Sequence, residues 1–144
     1  MYFEDMKLGM TMEISPAVIK KEKMLSFAHT YDPIPIHTDE EYARTTPFGA
    51  LIAPGVMSFM SVWAKFLELD LFGKELIAGM STKIQWHKPV YAEDVLCGKA
   101  VISSLTRRNA RNGIVEITIE AYNQNHVLVL TNVTEAVVKC REME

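Results

Sequence analysis

Cysteine is scarce: the 144 residues include two, Cys97 and Cys140. Neither belongs to a Cys-x-x-Cys pair or a Cys/His cluster, so neither a disulfide framework nor a structural zinc site is expected. Plain thiols in a reducing cytoplasm are the simpler expectation. Apolar runs are short, and none approaches the ~20 residues that span a bilayer, so no membrane partner is expected. The opening, Met1 to Lys7, has no basic stretch followed by an apolar core, so no secretory leader is expected either. An excess of positive charge is also missing. Lys and Arg number 15 against 18 Asp and Glu, a formal charge of -3, which removes the electrostatic case for nucleic acid. There is no repeat period, no low-complexity segment and no glycine-rich phosphate loop. The histidines fit no metal-ligand spacing. Neither a metal nor a bound cofactor is expected.

What is present suits one globular domain over residues 1–144, at 49% hydrophobic and 23% charged. Residues 10–19 read as a short first strand broken by Pro16. Lys21 to Thr30 fit a helix with Met24, Leu25, Phe27 and Ala28 on one face, and Pro33 and Pro35 stop it. Thr38 or Asp39 can cap a short helix through Arg44, and Pro47-Phe48-Gly49 signals a turn. Over residues 54–71, apolar side chains surround most of a helical cylinder. Its polar residues keep to a narrow stripe of Ser58, Ser61, Lys65 and Glu68. Such a helix must be wrapped on most sides. Pro54 suits its first turn, where an amide hydrogen would lack a partner.

The wrapping follows in the chain. Lys83–Lys88 and Val115–Ala121 alternate polar with apolar residues, and Val95–Leu105 and Val127–Val138 are long β-branched runs. Asn109–Gly113 and Asn123–Asn125 supply turn chemistry for antiparallel hairpins. The pattern is α+β: a curled antiparallel sheet around a long central helix.

Asp32 and His37 are the residues best suited to chemistry. A carboxylate and an imidazole within ~3 Å of one water can take a proton and return it elsewhere. Fully extended, the segment would span ~17 Å, so the loop has to bend, and its two prolines restrict how. On spacing alone, a turn-starting Asp-Pro and a surface histidine explain these residues at least as well.

The stretch Phe27-Ala-His-Thr-Tyr-Asp-Pro-Ile-Pro-Ile-His37-Thr-Asp-Glu-Glu-Tyr-Ala43 resembles the hydratase signature of the MaoC-like family, which includes (R)-specific enoyl-CoA hydratases. Phe3–Gly9 is similar to the family's opening, Pro47–Gly55 to the approach to its central helix, and Lys88–Leu96 to its later strand entry. The resemblance implies a hotdog fold, with Asp32 and His37 as an acid/base pair and the Gly55 amide holding a thioester oxygen. Helix-start amides and the positive dipole end agree with that role for Gly55. Coenzyme A is implied as part of the substrate, with no other cofactor, and a homodimer or higher homo-oligomer as the assembly.

Two positions depart from the family pattern. Ile34 replaces an asparagine of the motif. Trp63 stands where the family's enoyl-CoA hydratases carry a small polar residue, which implies a shortened acyl pocket. Ile34, Pro54, Ser58 and Trp63 are therefore candidate substrate contacts, with Arg107 and Arg108 as candidate partners for coenzyme A phosphates. The implied activity is hydration of a short or modified 2-enoyl-CoA, or the reverse dehydration. A non-catalytic acyl-CoA-binding protein and a hotdog thioesterase are the alternatives.

Overall fold

The computed structural model describes residues 1–142. A strand β1 (Thr11–Val18) leads into helix α1 (Lys21–Tyr31), a single turn α2 (Pro35–Thr38), a short α3 (Glu40–Thr45) and the main helix α4 (Gly55–Leu67). Four long strands follow: β2 (Leu76–Trp86), β3 (Val95–Arg107), β4 (Asn112–Tyr122) and β5 (Leu128–Lys139). They join β1 in one sheet of order β1-β3-β4-β5-β2, in which every pairing is antiparallel. The expected α+β architecture is the observed one.

Alternation builds the core. Leu96, Ala100 and Ile102 of β3, Val115, Ile117, Ile119 and Ala121 of β4, and Leu130 and Val138 of β5 are wholly buried. Their period of two turns one face of the sheet toward the helix layer. Met57, Phe59, Val62 and Phe66 of α4 are buried in the same cluster. A Cβ at Gly98 would stand 3.0 Å from Ile14 Cδ1 and 3.2 Å from Val62 Cγ1. Glycine therefore lets α4 and the side chains of β1 close down on β3.

Several sequence expectations are corrected. Pro16 does not break β1. The register slips between Ile14 and Ala17, and the strand continues to Val18. β1 is an edge strand, so a residue without an amide hydrogen fits in a bulge there. The main helix ends at Leu67, short of residue 71. It is also less enclosed than its composition suggests, because Val56, Met60 and Leu67 are about half exposed while Ser58 is buried. The helix lies against β1 and β3, and its outer side faces away from the sheet. The strand read at Lys83–Lys88 is the end of a longer β2 that begins at Leu76. Along that edge strand Leu76, Ile77, Met80 and Trp86 are all substantially exposed.

Candidate active site

The site forms where α1 ends. Asp32 precedes a proline, which disfavours helical geometry, and Pro33 has no amide hydrogen to continue the ladder. The Asp32 amide closes the helix on the Ala28 carbonyl at 2.9 Å. The chain then doubles back: Ile34 N–H donates to the Asp32 carbonyl at 2.8 Å. Pro35 opens α2 at its first position, where its fixed φ suits helix entry. That one turn carries His37 back toward Asp32, so His37 Nε2 lies 3.2 Å from Asp32 Oδ2.

The other imidazole nitrogen is held as well. His37 Nδ1 is 2.7 Å from the Ile52 carbonyl. A carbonyl only accepts, so Nδ1 carries the hydrogen and Nε2 is the nitrogen turned toward Asp32. The Ile52 carbonyl is itself fixed, because Ile52 N–H donates to Ile36 and the next residue, Ala53, donates to Val90 at 2.7 Å. His37 is 5% exposed, whereas the Asp32 side chain is 43% exposed. One partner is anchored in the core and the other faces the solvent. At 3.2 Å, His37 Nε2 and Asp32 Oδ2 are close enough for both to reach one water molecule.

Both residues open onto a cleft of about 440 Å3 with Gly55, Ser58, Trp86 and Lys88 among its walls. Gly55 is the first residue of α4. The first bond of that helix runs from Ser58 N–H to the Pro54 carbonyl at 3.1 Å, so the Gly55, Val56 and Met57 amides precede the bonding ladder. With the positive end of the helix dipole, they favour a negative oxygen at this spot. The Trp86 indole lies directly against Gly55 and roofs the cleft.

Asp32, His37, Gly55 and Ser58 are thus brought together. The remaining candidates do not line the cleft. Ile34 sits on the outside of the bend, half exposed, and Pro54 is buried as the cap of α4. Trp63 stacks between Phe59 and Phe66, with ring centroids 5.8 and 5.2 Å away, so its ring does not shorten the cleft. The Arg107 guanidinium is paired with Glu4 at 2.8 Å and lies over the Phe3 ring. The Arg108 amide closes the β3–β4 turn on Asn112. The basic residues at the cleft are instead His87 and Lys88. Sequence reasoning passed over Trp86, His87 and Ile52. An aromatic residue and two basic ones just before Pro89, at a strand exit, were the available signal. Ile52 acts through its backbone and gave none.

The family model described as MaoC like domain matches residues 5–125. The chain belongs to that family. A 3-hydroxybutyryl-CoA dehydratase from Methylorubrum extorquens is 34% identical over 114 residues, which covers 77% of this chain and 71% of that relative. Among solved structures, the monoamine oxidase regulatory protein from Archaeoglobus superposes with a TM-score of 0.93 at 27% identity, covering 99% of this chain and 96% of that one. The MaoC-like dehydratase from Rhodospirillum rubrum gives 0.89 at 25% identity, covering 99% of each. The sheet and main helix of this MaoC-like protein are the hotdog fold of these neighbours.

Proposed function

We propose that this MaoC-like protein adds water across the double bond of a 2-enoyl-CoA thioester, or removes it from the 3-hydroxyacyl counterpart. The observation that carries the reading is the Asp32–His37 pair, 3.2 Å apart, with the far imidazole nitrogen fixed on Ile52. In the hydration direction, Asp32 and His37 Nε2 hold one water. Its oxygen bonds to Cβ as its proton passes to the pair, and that proton then goes to Cα, so one water adds as OH and H. The charge that develops on the thioester oxygen falls to the Gly55 amide and the start of α4. Lys88, with His87 beside it at the cleft, stands near the path of the coenzyme phosphates, the role for which Arg107 and Arg108 were the candidates named above. The dehydratase named among the relatives supports this reaction class.

The acting unit is a homodimer in the cytoplasm. Support for it comes from β2, an 11-residue edge strand with Leu76, Ile77, Met80 and Trp86 exposed, a surface that proteins normally cover. The test is hydration of crotonyl-CoA, followed by loss of the enoyl absorbance. Asp32→Asn lowers kcat/KM by at least ~100-fold if the carboxylate moves protons; a two-fold loss refutes that role. Release of free thiol identifies a thioesterase, and binding without either reaction identifies a carrier.

A further inference from the structure

Helix α4 holds two serines, Ser58 and Ser61, and a helical serine can turn its hydroxyl back to the carbonyl four residues earlier. Ser61 does so: its Oγ donates to the Met57 carbonyl at 2.8 Å, an ordinary length for such a bond. Ser58 does not. Its Oγ stands 3.5 Å from the Pro54 carbonyl, at the outer limit of a hydrogen bond. That carbonyl is already served by the Ser58 backbone amide at 3.1 Å.

Burial gives the difference its weight. Ser58 is 1% exposed, so bulk solvent has almost no access to its hydroxyl, and a buried hydroxyl without a good partner is destabilising. Alanine would fill nearly the same space with a higher helix propensity and no such penalty. The Ser58 side chain borders the cleft of Asp32 and His37. In an α-helix the Cα–Cβ bond tilts toward the N-terminus, so the hydroxyl leans over the first turn, which carries the free Gly55 amide. Gly55 and Ser58 wall the same cleft, and residues three apart are neighbours on a helix surface.

We infer that the Ser58 hydroxyl donates a hydrogen bond to the thioester oxygen in the transition state, as a second donor beside the Gly55 amide. This rests on the hydratase reading above and adds a catalytic residue to it. When the water oxygen bonds to Cβ, the π electrons of the double bond move toward the thioester carbonyl, and its oxygen becomes negative. By turning about its Cα–Cβ bond, Ser58 exchanges a long bond to Pro54 for a short one to that oxygen. It keeps its own proton throughout. The charge disperses again when Cα receives the proton passed on by Asp32 and His37. A donor fixed where solvent hardly reaches acts more strongly on such a charge than it would in water.

Ser58→Ala tests the inference. Ser58→Cys, which keeps the shape of the side chain but has only a weak donor, is the second variant, and Ser61→Ala is the control. The first readout is kcat and KM for hydration of crotonyl-CoA. The second needs no turnover: acetoacetyl-CoA ionises to an enolate with charge on the thioester oxygen, and the ultraviolet band of that enolate, followed against pH, gives its pKa when bound. The wild type lowers that pKa below the value free in solution. Both Ser58 variants lower kcat by ~100-fold, the cost of removing one such donor, with KM changed less than about threefold. They also raise the bound enolate pKa by about one unit or more, and Ser61→Ala changes neither quantity. In urea unfolding Ser58→Ala is at least as stable as the wild type, whereas loss of a structural hydroxyl would weaken it. A kcat within about twofold of wild type, or a higher KM at unchanged kcat, overturns the inference. So does a bound enolate pKa indifferent to Ser58, and hydration by the wild type then leaves the hydratase reading standing. If the wild type hydrates no crotonyl-CoA yet Ser58 governs the bound enolate pKa, the donor stands and the hydratase reading falls.

Discussion

The Trp86 indole fills the space that any side chain at position 55 would claim. A Cβ on Gly55 would stand 2.3 Å from Cε2 and 2.5 Å from Nε1 of that ring. The strand exit at Trp86 and the start of α4 are therefore fitted to each other, and the fit needs a residue without a side chain.

Gly55→Ala is expected to push the indole off the start of α4. The loss is expected mainly in kcat/KM, at ~10-fold or more. The two residues share one contact, so Gly55→Ala made in a Trp86→Ala background costs clearly less than it does alone. A double-mutant cycle on kcat/KM checks this, and strictly additive losses contradict it.

Phe66 and Trp63 are neighbours with separate consequences. Phe66 is 1% exposed and packs against both Trp63 and Phe72. Phe66→Ala should cost about 3–5 kcal/mol, the range for emptying an aromatic core position, read from urea unfolding. Trp63→Phe should leave the preference for acyl length unchanged, since Trp63 packs between Phe59 and Phe66 and does not line the cleft. A marked change in that preference would return Trp63 to the substrate site.

The two thiols should react at different rates. Cys97 is exposed and Cys140 is buried. Burial first, and then the nearby Glu4 carboxylate, pushes the Cys140 thiol above the usual thiol range. Its thiolate is thus scarce near neutral pH, and access is poor. Titration with a chromogenic disulfide at pH 8 should show one fast equivalent, lost in Cys97→Ser, and a second released on unfolding. Two equivalents at one rate would contradict the placement of Cys140.

Much of the fold was legible because its rules are local. Val115–Ala121 alternates strictly, and in the sheet Val115, Ile117, Ile119 and Ala121 are all buried on one face. The turns at Asn109–Gly113 and Asn123–Asn125 fall where the β3–β4 and β4–β5 hairpins close. The first half of β2 was not legible, since Leu76-Ile77-Ala78-Gly79 has no alternation and the apolar run before it reads as more helix. α2 also escaped, because a single turn of four residues leaves no periodic trace. The bend of the candidate site could be inferred from the span of an extended chain, but not its direction.

The sequence by itself determined which groups are available and how stiff their setting is: an aspartate and a histidine on a proline-restricted loop, a glycine ahead of an apolar helix, and strands whose period of two fixes their inner face. Tertiary structure alone decided that Ile52 selects the imidazole nitrogen left free, that Trp86 closes over Gly55, and that Glu4 takes up Arg107 while Lys88 faces the cleft. Each of these contacts joins segments that no local periodicity or turn rule relates, and they come into reach only when the sheet and helix have packed.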